Sequence, residues 1–256
     1  MLKSLCIALS MYSQIPVPHT EWRKEDMKYV FAFFPLVGVI IAGAEYIWFL
    51  TGKACGFSSV FKTAVSAVLP LIITGGIHLD GFMDTSDALS SYRSVKERLA
   101  ILKDPHIGAF AVIKTLILFT IMSGSIYQMF EGKHVEEVLP VFCLIFVFSR
   151  IMSAGSVFLI QSAGNQGSLE AMSAASEVKT VKIIIAIEYL ITAVIMTAVS
   201  FLNGIIVIAV SILVFIFYRK RSINAFGGVT GDTSGWFLCV NECACTMMLA
   251  MAAYLY

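Results

Sequence analysis

Six or seven runs of mostly apolar residues, each near the ~20 that a helix needs to cross a hydrocarbon core, constrain this chain more than any other feature. They lie near 29–50, 58–76, 109–130, 138–160, 182–201, 203–218 and 236–256. In lipid each backbone N–H and C=O must be satisfied within the protein, and a helix does this locally. The expectation is therefore all-α: a polytopic transmembrane helix bundle of about seven spans, forming a single membrane domain over 1–256. The fifth and sixth runs are separated only by Asn203-Gly204, which predicts a tight helical hairpin turning there, or else one long kinked helix. Composition agrees, with 58% hydrophobic and 14% charged residues, where soluble domains carry about a quarter charged.

Seven crossings would put the connections 1–28, 77–108, 161–181 and 219–235 on one side. Those connections hold Lys3, Arg23, Lys24, Lys28, Arg93, Lys96, Arg98, Lys103, Lys179, Arg219, Lys220 and Arg221, while the other side keeps little beyond Lys53 and Lys133. The basic side faces the cytoplasm by the positive-inside rule, so the N-terminus is expected inside and the protein in the cytoplasmic membrane. A net charge of +1 is too balanced to suggest a nucleic-acid partner. The first apolar stretch has no small-residue cleavage site and is expected to be retained. The six cysteines mostly sit in apolar runs, where a thiol is a small hydrophobe rather than half of a disulfide framework.

The stretch Gly75-Gly76-Ile77-His78-Leu79-Asp80-Gly81-Phe82-Met83-Asp84-Thr85-Ser86-Asp87 carries chemistry. Asp80, Asp84 and Asp87 are spaced i, i+4 and i+7, so a helix lines them along one face within about 10 Å. A solvated acidic face would interleave Lys or Glu; here the intervening residues are apolar or small, and such crowding calls for a cation. Mg²⁺ suits it, being hard, carboxylate-seeking and able to keep positions for water and substrate phosphate.

A second cluster, Phe226-Gly227-Gly228-Val229-Thr230-Gly231-Asp232-Thr233-Ser234-Gly235, falls on the same side and offers Asp232 as a fourth carboxylate; its glycines permit close backbone approach, though a plain loop has the same composition. Glu242, ten residues beyond Asp232, would be about 15 Å further along a continuous helix, so sharing the site requires a break near Gly235. Arg150, Glu45, Glu188 and Glu242 are ionisable groups inside apolar runs, which mark either function or pairing between helices. Residues 97–110 form a basic amphipathic segment ending in Asp104-Pro105, from which Arg98 and Lys103 reach a phosphate held at the Asp cluster. His78 and His106 are candidate acid/base groups.

Taken together, Ile15-Pro16-Val17-Pro18, Gly76-Ile77-His78-Leu79-Asp80-Gly81-Phe82-Met83-Asp84-Thr85-Ser86-Asp87-Ala88, Lys103-Asp104-Pro105-His106-Ile107-Gly108-Ala109-Phe110 and Gly227-Gly228-Val229-Thr230-Gly231-Asp232-Thr233 resemble the cobalamin synthase, or adenosylcobinamide-GDP ribazoletransferase, family, in order and over nearly the whole length. The resemblance implies a Mg²⁺-dependent transferase. A hydroxyl of α-ribazole, or of its 5′-phosphate, attacks the cobinamide-bearing phosphorus of adenosylcobinamide-GDP; GMP leaves and adenosylcobalamin, or its 5′-phosphate, forms. It further implies metal binding by Asp80, Asp84, Asp87 and Asp232, with Asp84 and Asp87 catalytic. Substrate contacts are implied from His78, Arg98, Lys103, Asp104, Arg150, Thr230 and Glu242. Homo-oligomers and contacts with other enzymes of cobalamin assembly are compatible with it. Two positions depart from the family pattern: Gln14 replaces a basic residue, and Cys239 an acidic one.

Two other classes share parts of the pattern. A CDP-alcohol phosphotransferase also spaces Asp residues helically, but its Ala-Arg after Asp-Gly is Phe82-Met83 here. A cation-coupled transporter would place its carboxylates at the midplane between inverted repeats, whereas this cluster opens a polar connection.

Overall fold

A computed structural model describes residues 1–18, 21–164 and 168–254, and among them the regular structure is entirely helical. Six helices are long and apolar enough to cross a membrane: α2 (Val30–Ala54), α6 (Ala109–Glu131), α7 (Val135–Leu159), α9 (Val178–Val199), α10 (Phe201–Phe226) and α11 (Gly231–Ala252). A seventh candidate crossing is the bent pair of α3 (Ser59–Thr74) and α4 (Ile77–Ser90), whose axes differ by 96°. Gly75 and Gly76 make that bend, both left-handed with φ of 65° and 78°, a region costly for residues with a Cβ. At 1.5 Å per residue α3 alone rises about 24 Å. We therefore count α3 as the crossing and α4 as a helix lying across the end of the bundle. The short helices α1 (Leu2–Tyr12), α5 (Val95–Ile101) and α8 (Ser168–Ala175) complete the chain order.

Helix α7 is the axis of the bundle, with α2, α9, α10 and α11 packed around it. Gly38 of α2 permits the closest approach, since a Cβ there would lie 2.4 Å from the Phe146 carbonyl oxygen. By contrast α6, α9 and α10 turn Ile113, Leu116, Ile187, Leu190, Leu213 and Ile216 outward, as helices facing lipid must.

The four connections on the basic side gather at one end of the bundle, knitted by backbone hydrogen bonds. Gln14 N–H donates to the Ile73 carbonyl at 2.8 Å, Glu177 N–H to Lys28 at 3.2 Å, and Val229 N–H to Gln161 at 2.9 Å. At the other end Lys53 pairs with Glu136.

Two boundaries differ from the sequence expectation. The hairpin between the fifth and sixth spans turns at Ser200, in an extended conformation, and not at Asn203-Gly204, which begin α10. Asn203 donates back to Ser200 Oγ at 3.0 Å, and Gly204 is the contact point with α9, where a Cβ would lie 2.6 Å from the Met196 carbonyl oxygen. The glycine serves packing rather than the turn. The other difference is that α10 continues through Arg219-Lys220-Arg221 to Phe226 and α11 begins at Gly231. A helix can run past the hydrocarbon edge, where charged side chains meet water, so hydropathy underestimates its length.

Candidate functional site

The cluster Gly227 to Gly235 is a helix start, not a plain loop. Gly227 ends α10 with φ of 79°, and Thr230 caps α11. The Thr230 hydroxyl accepts from Thr233 N–H at 3.1 Å, and Thr233 Oγ1 accepts from Thr230 N–H at 2.8 Å. This reciprocal cap satisfies donors that a helix start leaves free. It places Asp232 in the first turn of α11 and engages Thr230 in positioning.

Here α4 crosses α11. A Cβ on Gly81 would lie 2.8 Å from Asp232 Cα, and one on Gly235 would lie 2.8 Å from the His78 carbonyl oxygen. Two glycines, one per helix, let the backbones touch, and the contact brings Asp232 beside Asp80 and Asp84. Burial first, then the charges of Asp80, Asp232 and Asp87, push the Asp84 carboxyl up to about 6. Among the described residues Asp80, Asp84 and Asp232 form no ion pair. As they stand, no three His, Cys, Asp or Glu side chains among the described residues converge on one point. A small hard cation held by carboxylate oxygens, completing its shell with water and phosphate oxygens, suits this donor set.

Asp87 shares α4 with Asp80 and Asp84 but is occupied differently. Its carboxylate accepts Gly108 N–H at 2.6 Å and Ala111 N–H at 2.9 Å, capping α6. Gly108 leaves room for it, since a Cβ there would lie 2.3 Å from Asp87 Oδ2.

Beside the carboxylates opens a cavity of about 150 Å³, with Asp80, Asp232, His78 and Ser234 on its wall, and Tyr12 and Phe34 contributed by α1 and α2. The His78 ring packs against the touching Tyr12 and Phe34 rings, at centroid distances of 6.2 and 5.6 Å, and its Nε2 is buried without a partner. Sequence reasoning missed Tyr12 and Phe34. Nothing local marks an aromatic in an apolar helix as a cavity wall.

The basic segment becomes α5 and the turn after it. Ser94 and Glu97 form a capping box that holds the Glu97 carboxyl below its ordinary range. Leu99, Ile101 and Leu102 pack against Ala88, Ala225 and Phe226. Arg98 has a buried Nε without a partner, and Lys103 is exposed. Neither forms an ion pair among the described residues, which leaves both cations available to an anion. Asp104 instead accepts from His106 N–H at 3.0 Å and pairs with its ring at 2.7 Å, contacts that lower its carboxyl.

Arg150 and Glu242 find each other. Helix α11 runs unbroken through Gly235, so Glu242 lies well along it, where its Oε1 accepts from Arg150 Nη1 at 2.7 Å and Ser149 Oγ at 2.8 Å. Arg150 also donates to the Phe146 carbonyl at 2.8 Å, and its guanidinium lies 6.0 Å from the Phe34 ring. The geometry gives both residues a helix-pairing role, behind the cavity wall formed by Phe34.

The profile of the cobalamin-5-phosphate synthase family matches residues 4–250. The chain belongs to that family. Similar proteins named adenosylcobinamide-GDP ribazoletransferase include one from Lachnoclostridium phytofermentans, 36% identical over 98% of this chain and 93% of its own. One from Clostridium botulinum strain Alaska E43 is 31% identical over 94% of each chain, and one from Geobacillus kaustophilus is 26% identical over 90% of this chain and 88% of its own. No solved structure matches. In this member of the cobalamin-5-phosphate synthase family, then, the α4–α11 crossing brings Asp80 and Asp232 together on the wall of one cavity.

Proposed function

We propose that this protein joins adenosylcobinamide-GDP to α-ribazole or its 5′-phosphate, giving adenosylcobalamin or its 5′-phosphate and GMP. The observation that carries the proposal is the contact of Gly81 with Asp232, which brings Asp232 to the helix of Asp80 and Asp84, with Asp80 and Asp232 on the wall of one cavity. Asp80, Asp84 and Asp232 would hold Mg²⁺, which neutralises charge on the pyrophosphate oxygens during displacement. Arg98 and Lys103, free of carboxylate partners, neutralise the departing GMP phosphate. A new bond forms between the ribazole hydroxyl oxygen and the cobinamide-bearing phosphorus as the bond from that phosphorus to the GMP oxygen breaks. The hydroxyl proton passes to Asp84, because Asp87 already accepts two backbone N–H groups. The segregated basic residues support an orientation with this end of the bundle, and the N-terminus, in the cytoplasm, and the chain as a single domain of the cytoplasmic membrane.

The test is GMP release and corrinoid product formation by purified protein in nanodiscs, with and without Mg²⁺. Product that appears only with Mg²⁺ supports the reading. No product from folded protein at any divalent cation concentration would remove it.

A further inference from the structure

A second groove, of about 360 Å³ and sharing no lining residue with the His78 cavity, lies between α4, α6, α10 and α11. Its volume falls in the range of ligand sites, roughly 300–1,000 Å³. Phe82, Ile117, Leu118 and Val240 line its apolar length, and Lys114 and Arg221 stand at its basic end. Neither cation forms an ion pair among the described residues. Lys114 Nζ donates to the Ser86 carbonyl at 3.3 Å, and it feels both the repulsion of Arg221 and the attraction of Asp87. Asp87 is already held by two N–H groups. Ser86 Oγ, also on the groove wall, is fully buried and has no hydrogen-bond partner. Two cations that form no ion pair and an unsatisfied hydroxyl therefore frame one end of an apolar slot.

The depth of these residues says what fills it. Lys114, Arg221 and Trp236 each lie five residues in from the end of α6, α10 and α11, all at the end of the bundle that carries the basic connections. Five residues are about 8 Å of helix, the level at which aromatic and basic side chains meet lipid headgroups. Trp236 lies tilted against Phe217 with ring centroids 6.1 Å apart, and Phe217, Ile117 and Ile121 are exposed on the lipid-facing flank. A water-soluble phosphate would satisfy the cations and leave the apolar length empty.

We propose that this groove binds an anionic phospholipid, its phosphate against Lys114 and Arg221 and an acyl chain along Ile117, Leu118 and Val240. The chain packs against Phe82, on the helix that carries Asp80 and Asp84, so the bound lipid supports α4 from the side opposite its catalytic use.

Native mass spectrometry of the full chain, after exchange from detergent containing phosphatidylglycerol or phosphatidylcholine, tests this without reference to activity. The wild type retains phosphatidylglycerol in preference to phosphatidylcholine. That preference falls about fivefold per charge removed, roughly thirtyfold in K114Q/R221Q. R221Q alone, at an exposed position, keeps the comparison readable if the double variant does not fold, and L118W lowers retention of the lipid with both cations intact. Equal retention of the two lipids, an unchanged preference in R221Q, or displacement of phosphatidylglycerol by inorganic phosphate would overturn the proposal, the last assigning the groove to a soluble phosphate.

Discussion

Gly81 of α4 rests directly on the backbone of Asp232 in α11, with only 2.8 Å between the position of a Cβ and Asp232 Cα. The neighbouring atom is main chain at a capped helix start, so it has little room to yield. In G81A the two helices separate, Asp232 withdraws from Asp80 and Asp84, and turnover drops by about a hundredfold, the scale expected for a misplacement near 1 Å. Single-turnover GMP release in protein of normal thermal stability is the check.

Removing charge from the cluster tests a different property. D84N and D232N keep the shape of the site but take away a hard oxygen donor each, so both raise the Mg²⁺ concentration needed for half-maximal rate. In each, the rate at ordinary Mg²⁺ falls by about a hundredfold or more. A Mg²⁺ titration of the initial rate distinguishes them from G81A variants rescued by nothing. An undiminished rate in D84N would count against its place in the site.

Asp87 should respond as a helix cap. D87A leaves the Gly108 and Ala111 N–H groups without their acceptor, a loss of about 1–2 kcal/mol. Hydrogen exchange over residues 108–113 should accelerate more than over the start of α11. Equal protection in wild type and D87A would show that the cap contributes nothing.

The Arg150–Glu242 pair makes the fourth case. R150M strands a carboxylate inside the bundle and costs about 3–5 kcal/mol, whereas R150M/E242L removes both charges and recovers most of it. Thermal unfolding in nanodiscs reads the difference. A double variant as unstable as R150M would mean that the pair is not the reason for the loss.

Much of this was written in the sequence because the bilayer permits so few answers. Apolar runs of near-spanning length became helices, and the spacing of Asp80, Asp84 and Asp87 became a shared helix, since both depend only on local periodicity. Helix ends were less legible. Arg219-Lys220-Arg221 and Asn203-Gly204 read as breaks, yet both lie within α10, because charge beyond the hydrocarbon edge and glycine at a close contact are compatible with helix.

The sequence by itself determined a membrane-spanning helical bundle with its basic connections on one side and a set of carboxylates among them. Only the tertiary structure decided which partners those carboxylates meet. It brought Asp232 across more than a hundred residues of chain to Asp80 and Asp84, gave Asp87 to the start of α6, and closed Glu242 onto Arg150. Periodicity fixes which way a side chain points on its own helix. Which partner it meets depends on where two helices can touch, and here small residues at Gly81, Gly108 and Gly235 set those places.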